Sequence, residues 1–153
     1  MNDKNQGNIA DEIQLVAFKL GNEEYAVDIL AVQEIIRWTH ITRVPKAPPF
    51  VKGVINLRGT VIPVIDSHKR FNLPQVETTD TARIIVFRLE DVTVGLTVDL
   101  VTEVIRLSFE QIEKPQSVGG INDQFVKGIG KIADRLLIIL DLDRVLDFSI
   151  EQQ

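Results

Sequence analysis

Apolar and polar positions alternate along this chain in short runs broken by polar corners. "QLVAFKL" (14–20) and "YAVDI" (25–29) flank "GNEE", a loop of hairpin length; "RIIVFRL" (83–89) and "VTVGLTV" (92–98) repeat the arrangement. In the last of these Val92, Val94, Leu96 and Val98 fall on one face, as in a half-buried strand. "VQEIIRW" (32–38) and "VTEVIRL" (101–107) read as third strands, with a short helix as the alternative that the pattern leaves open. "VINL" (54–57) and "TVIPVI" (60–65) predict two strands paired across a corner, and Pro63 belongs at an edge or bulge because it cannot donate to a ladder. "KAPPFVKG" (46–53) is a loop or a single helical turn. "DSHKRF" (66–71) and "DLDRVL" (141–146) predict short helical turns capped by Asp66 and Asp141. The fold class is all-β, about five short strands in each half, the pattern of small barrels.

The halves are related. "FVKGVINLRGTVIPVIDSHKRF" (50–71) lies on "FVKGIGKIADRLLIILDLDRVL" (125–146) without a gap, at an offset of 125 − 50 = 75. Upstream, "VQEIIR" (32–37) lies on "VTEVIR" (101–106) at an offset of 101 − 32 = 69. The second copy therefore carries 75 − 69 = 6 extra residues, within "QSVGGINDQ" (116–124). Two matching blocks in the same order imply duplication. One lobe is expected over residues 14–71 and another over 83–148, joined by a linker at 72–82 and burying surface against each other.

Composition narrows the classes. A chain of 153 residues holds one ordinary domain or two very small lobes. With 44% hydrophobic and 25% charged residues it is globular. Cysteine is absent, which removes disulfides, thiolate metal sites and a cysteine nucleophile. The polar start "MNDKNQGNIADE" lacks the apolar core of a signal peptide, and no apolar run approaches the roughly 20 residues of a membrane span. A soluble intracellular domain is expected. A net charge of −5 and few aromatics weigh against a nucleic-acid partner.

Catalytic patterns fail. His40 and His68 are far apart and have no ligand-spaced companions; surface or satisfied histidines are expected. "GIGK" (128–131) lacks the first glycine and the hydroxyl residue of a phosphate loop. Asp66 and Asp141 sit at equivalent strand ends, which favours capping over acid–base work. No catalytic residue, cofactor or metal is expected. The corner Asn56-Leu57-Arg58-Gly59 suits a type I turn, with Asn first and Gly fourth. The second half has "KIAD" (131–134) there, so the corner is either divergent turn geometry or a displayed recognition element carried by Asn56 and Arg58.

The run "YAVDILAVQEIIR…ITRVPKAPPFVKGVINLRGTVIPVIDSHKRF" closely resembles the CheW family of chemotaxis coupling proteins, and "FVKGIGKIADRLLIILDLDRVL" extends the likeness over nearly the whole chain. The resemblance implies a single CheW-like domain over 1–153, built as two small five-stranded SH3-like barrels around a shared hydrophobic core. It implies a non-enzymatic adaptor, monomeric when free and cytoplasmic at receptor arrays, joining chemoreceptor tips to the histidine kinase CheA. The kinase's own CheW-like domain would dock barrel to barrel, through residues the likeness does not assign. The same domain occurs inside CheA and in CheV, so a regulatory module is the alternative; a nucleic-acid-binding barrel is a more distant one. Ser67, where the family often has Leu, and an exposed-looking Trp38 depart from the pattern. The receptor-binding positions implied are Ile29, Val32, Glu34, Gly53, Val54, Asn56 and Arg58. Among them Glu34 and Arg58 are expected to pair. Glu103 matches Glu34 but Ala133 matches Arg58, so the pair is expected in the first half alone.

Overall fold

The computed structural model of the protein describes residues 11–115 and 123–150. The expansion expected within 116–124 falls mostly outside them. Eleven strands are described: β1 (Glu12–Leu20), β2 (Glu23–Asp28), β3 (Val32–Arg37), β4 (Val51–Leu57), β5 (Thr60–Ile65), β6 (Arg83–Leu89), β7 (Val92–Val98), β8 (Leu100–Ser108), β9 (Ile112–Glu113), β10 (Val126–Ile132) and β11 (Arg135–Leu140). Two short helices, α1 (Ser67–Arg70) and α2 (Leu142–Val145), follow β5 and β11. "VQEIIR" and "VTEVIR" are both strands, which resolves the helix alternative.

The sheets do not follow the halves of the sequence. One has five strands in the order β3-β6-β7-β5-β4, and the other six, β8-β1-β2-β11-β10-β9. The five-stranded unit is thus continuous, Val32 to Val98, and sits inside the six-stranded one, whose strands come from both ends of the chain. The boundary expected at 72–82 is corrected: that linker joins β5 to β6 within one sheet. The chain passes between sheets at residues 29–31 and at Asp99. Alternation along a strand reports its buried face and not its neighbour, so hairpins β1–β2 and β6–β7 were assigned to the wrong barrels. Each in fact completes the sheet made by the other copy's third, fourth and fifth strands.

Alternation does explain the packing. Ile55, Ile62, Val64, Ile84 and Val86 fill the five-stranded unit, while Leu15, Ala17, Ala26, Ile105, Leu107, Leu137 and Ile139 fill the six-stranded one. The opposite faces meet in a third cluster that draws on both, with Phe18, Tyr25, Phe71, Phe87, Leu96, Phe125 and Leu140 at its centre. This is the shared core expected of two small barrels that bury surface against each other. The sixth strand, β9, pairs with Ile129 and Gly130; its counterpart in the five-stranded unit is a single bridge between Thr42 and Val54.

Arg70 ties the copies together. Its side chain is fully buried, and the guanidinium lies 3.9 Å from the ring centre of Phe50 and 4.8 Å from that of Phe125, residues equivalent by the offset of 75. Its nitrogens donate to the carbonyls of Arg144, Val145, Asp147 and Ile150 at 2.6–3.1 Å. Burial pulls this guanidinium below its usual pKa, and the nearby Asp147 partly opposes that.

Several local expectations are corrected. Pro63 is on β5, between β7 and β4, so the edge alternative fails, while the bulge alternative fits the register shift between Val51 and Gly53 beside the Val54–Pro63 pair. Pro63 faces Val54, whose backbone bonds go to Thr42 instead, and pairing with β7 begins only at Val64, so the absent N–H removes no ladder bond. Asp66 caps α1, accepting from the Lys69 amide at 3.2 Å, but Asp141 makes no such bond. Trp38 is half-buried against the filling of the five-stranded unit, with the Lys52 ammonium 5.7 Å from its ring. His40 is exposed, while His68 is buried and satisfied, one ring nitrogen on the Pro74 carbonyl and the other on Asp99.

Candidate functional site

β2 ends where Asp28 stops the ladder and caps a 3-10 turn, Ile29–Ala31, its carboxylate accepting from the Leu30 amide at 2.9 Å. The turn carries the chain from one barrel to the other. Ile29, Ala31 and Val32 rest on the margin of the shared core, and Leu30 between them is 90% exposed. Leu30 joins the half-buried Ile29 and Val32 in one short apolar strip, and a contiguous strip is the kind of feature that suits a contact surface. Sequence reading did not select Leu30; the break in alternation across "DILAV" was the available signal.

Glu34 lies on β3 and Arg58 on the turn after β4, the two edge strands of the five-stranded sheet. The expected pair is formed: the Arg58 guanidinium donates to a Glu34 carboxylate oxygen, and the Gln33 amide reaches the same oxygen at 3.5 Å. The bond from Arg58 holds the Glu34 carboxyl below its ordinary pKa. This link spans the open seam of the barrel, with Arg58 itself 68% exposed and presented to solvent.

The corner differs from the type I turn expected. Leu57 pairs with Thr60, so the loop has two residues, Arg58 at φ 50° and Gly59 at φ 88°. Both angles are positive, as a type I′ hairpin requires. Asn56 accepts from the Gly59 amide at 2.8 Å, so its carboxamide oxygen is committed to the turn. Ala133 in the second copy also has a positive φ, 51°, which shows that this half of the geometry is shared.

Gly53 supplies backbone space and no surface. A Cβ there would stand 2.2 Å from the Thr42 carbonyl oxygen, and its φ is 156°. The close approach permits the paired bonds between Thr42 and Val54, at 2.9 and 2.8 Å, that help close the barrel. Val54, opposite Pro63, is half-buried. The structure thus brings Glu34, Arg58 and Asn56 to one end of the seam and sets Ile29 and Val32 on the core margin beside Leu30. Gly53 lies beneath.

The second copy has no equivalent of the Arg58 pair, since Ala133 stands there, but it forms another acid–guanidinium link. Glu103 meets Arg135 at 3.0 Å, two positions beyond Ala133, and Arg135 also binds Glu24 at 2.8 Å. Both carboxylates raise the Arg135 pKa, Glu24 more strongly. Among the described residues no group of His, Cys, Asp or Glu is arranged to hold a metal, and no helix is long and apolar enough to cross a membrane.

Comparison with known proteins fits this architecture. Residues 14–149 match the model of the CheW-like domain. The chain is 42% identical over 140 residues to the chemotaxis protein CheW of Bacillus subtilis, covering 91% of this chain and 90% of that one. It is 37% identical to CheW of Klebsiella aerogenes over 134 residues, 87% of this chain and 81% of that protein. The crystal structure of the scaffolding protein TtCheW from Thermoanaerobacter tengcongensis superimposes with a TM-score of 0.82 at 39% identity, covering 88% of each chain.

Proposed function

The chain belongs to the CheW-like domain family, and on that premise we propose that it is a chemotaxis coupling scaffold, joining the cytoplasmic tips of chemoreceptors to the histidine kinase CheA. It works without catalysis, by fixing geometry, at receptor arrays on the inner face of the membrane. The observation that carries this reading is the seam: an exposed guanidinium, posed by Glu34, on the barrel that the capped apolar turn Ile29–Ala31 leads into. A receptor tip is a helical hairpin, and a helix is received by an apolar strip with a few charges that set register. Ile29, Leu30 and Val32 supply area; Glu34 and Arg58 supply register. The kinase's own CheW-like domain docks elsewhere, barrel to barrel, through an apolar contact of low salt sensitivity.

Val32→Asp tests the assignment. Placed at the core margin, the carboxylate should abolish capture of a receptor hairpin and leave capture of the kinase regulatory domain near the wild-type level. Equal loss of both in a normally folded variant would mean that the two surfaces are one.

A further inference from the structure

The two passages between barrels create two clefts, and the offsets of 69 and 75 map one onto the other. The first, of about 300 Å³, is lined by Asp28, Leu30, Ala31, Arg88, Lys127 and Asp141. The second, of about 320 Å³, is lined at the equivalent positions by Thr97, Asp99, Leu100, Lys19, Lys52 and Asp66. The arithmetic holds for each pair, for instance 97 − 28 = 69 and 127 − 52 = 75. The residues flanking the passages correspond too. Ile29, Val32 and Glu34 beside the first become Val98, Val101 and Glu103 beside the second. The duplication therefore made the receptor-facing element twice.

Among the described residues only the second copy is covered. Gln75, Val76, Glu77, Thr78 and Thr79 of the linker form a wall of the second cleft, and no described segment stands in that place at the first. The linker is fastened at its two ends. His68 donates from Nδ1 to the Pro74 carbonyl at 2.8 Å, and the Thr81 hydroxyl donates to the Asp99 carbonyl at 2.8 Å. Asp99 links both fastenings, since its carboxylate also faces His68 Nε2 at 3.0 Å and accepts from the Gly21 amide at 2.7 Å. Position 99 corresponds to Leu30, and position 68 to Asp143, so the first cleft has none of this hardware. Between the fastenings residues 75–80 are exposed, Val76 to 54%, and a cavity remains beneath them. The later part of this segment is further held by the Ala82 amide on the Thr79 carbonyl at 3.1 Å and the Arg83 guanidinium on the Asp80 carbonyl at 2.9 Å; the exposed stretch preceding it opens at a small fraction of the global unfolding free energy.

We propose that residues 75–82 are an intramolecular strap over a second, latent copy of the receptor-binding cleft, restricting the chain to one receptor hairpin where its architecture supplies sites for two. The occupant is a helical hairpin of the same chemistry as that taken at Ile29–Val32, so the proposal rests on the receptor reading. Val101, half-buried on the core margin as Val32 is, supplies apolar area there and Glu103 the acid, while Val98 is buried in the shared core beneath them. A single open site makes the scaffold directional, because each copy then has one receptor side.

The test counts binding sites by titration calorimetry, with a soluble monomeric hairpin from a chemoreceptor cytoplasmic tip as probe. Wild type should bind one. An opened chain carries Gly and Ser at 75–80 and Thr81→Val, all exposed positions that the fold tolerates; a second version adds His68→Gln. The opened chains should be cut by protease within 75–80 faster than wild type and should bind two hairpins. Adding Val101→Asp should return the count to one. Opened chains that are cut but still bind one hairpin, or that resist cutting, overturn the proposal and leave the receptor reading intact. A wild-type chain that binds none overturns both.

Discussion

Glu34 on β3 and Glu103 on β8 occupy equivalent positions, yet each meets its guanidinium from a different side of an equivalent hairpin turn. In the five-stranded unit the base stands on the turn itself, at Arg58, and is largely in water. In the six-stranded unit it stands just past the turn, at Arg135, and is shared with Glu24. Thr60 occupies the position matching Arg135, and Ala133 the position matching Arg58. The acid has been kept and the base displaced by two residues. A shared guanidinium has few donors left for a partner; one held by a single carboxylate keeps most of its fork free. The difference separates a link that closes a barrel from one that also displays a group.

The most severe way to break the equivalence of the copies is at Arg70, whose counterpart is Val145. Arg70→Met removes a fully buried donor from four carbonyls, one buried and three part-buried, and should destabilise the protein by about 3–5 kcal/mol, read by urea unfolding. Next comes the pair Gly53 and Gly128. Gly53→Ala drives a Cβ into the Thr42 backbone, whereas at Gly128 the nearest atoms are the Ile112 side chain at 2.8 Å and the Glu113 carbonyl at 3.0 Å. Gly53→Ala should therefore cost more, about 2–4 kcal/mol against about 1–2 for Gly128→Ala, because a flexible methyl yields and a bridged carbonyl does not. Equal costs would mean that the Thr42 bridge contributes nothing.

Arg58→Ala and Arg135→Ala form the third contrast. Both residues sit at the surface, so both variants should melt close to wild type. Arg58→Ala alone should weaken receptor capture; a parallel loss in Arg135→Ala would remove the distinction drawn above, and a large fall in melting temperature for Arg58→Ala would make it a structural turn residue. The smallest effect is expected from acid. The Glu34 carboxyl is lower in the folded than in the unfolded chain, so the link to Arg58 is complete above the ordinary glutamate range and is lost as pH falls through the lowered value. Receptor capture should decline over that interval in wild type, and Glu34→Gln should flatten the profile.

Much of this was legible in the residues. The period of two gave the strands, the offset of 75 gave their equivalence, and Glu34 with Arg58 was identified as a pair. Strand partnership was not legible, since Val16, with Val27 on one side, presents the same alternation whether its other neighbour comes from its own half or, as it does, is Val104. The turn type was missed because Asn at 56 and Gly at 59 fit two registers, and only the pairing of Leu57 with Thr60 selects between them. Leu30 escaped notice because an exposed leucine is identical in sequence to a buried one. Arg70 looked like one more basic residue in a helical turn; its partners are carbonyls some 75 residues away, and backbone groups carry no signature in sequence.

The insertion of the five-stranded unit within the six-stranded one sets the order in which the molecule can be finished. During synthesis the β1–β2 hairpin emerges first, yet its neighbours β8 and β11 are made only after Val98. The inserted unit, Val32 to Val98, has all its own strands available by then and is free to close while the hairpin waits with both edges bare. Such a wait is the setting in which strand edges find wrong partners. Completion then falls to a late segment: α2 and the residues after it bring the four carbonyls to Arg70, which has stood ready since the first half emerged. A chain stalled before residue 144 would hold a finished inner barrel, an incomplete outer one and a guanidinium without its acceptors, a state that a ribosome-arrested length series would find susceptible to protease in β1 and β2 and resistant in β3–β7 outside the exposed stretch 75–80.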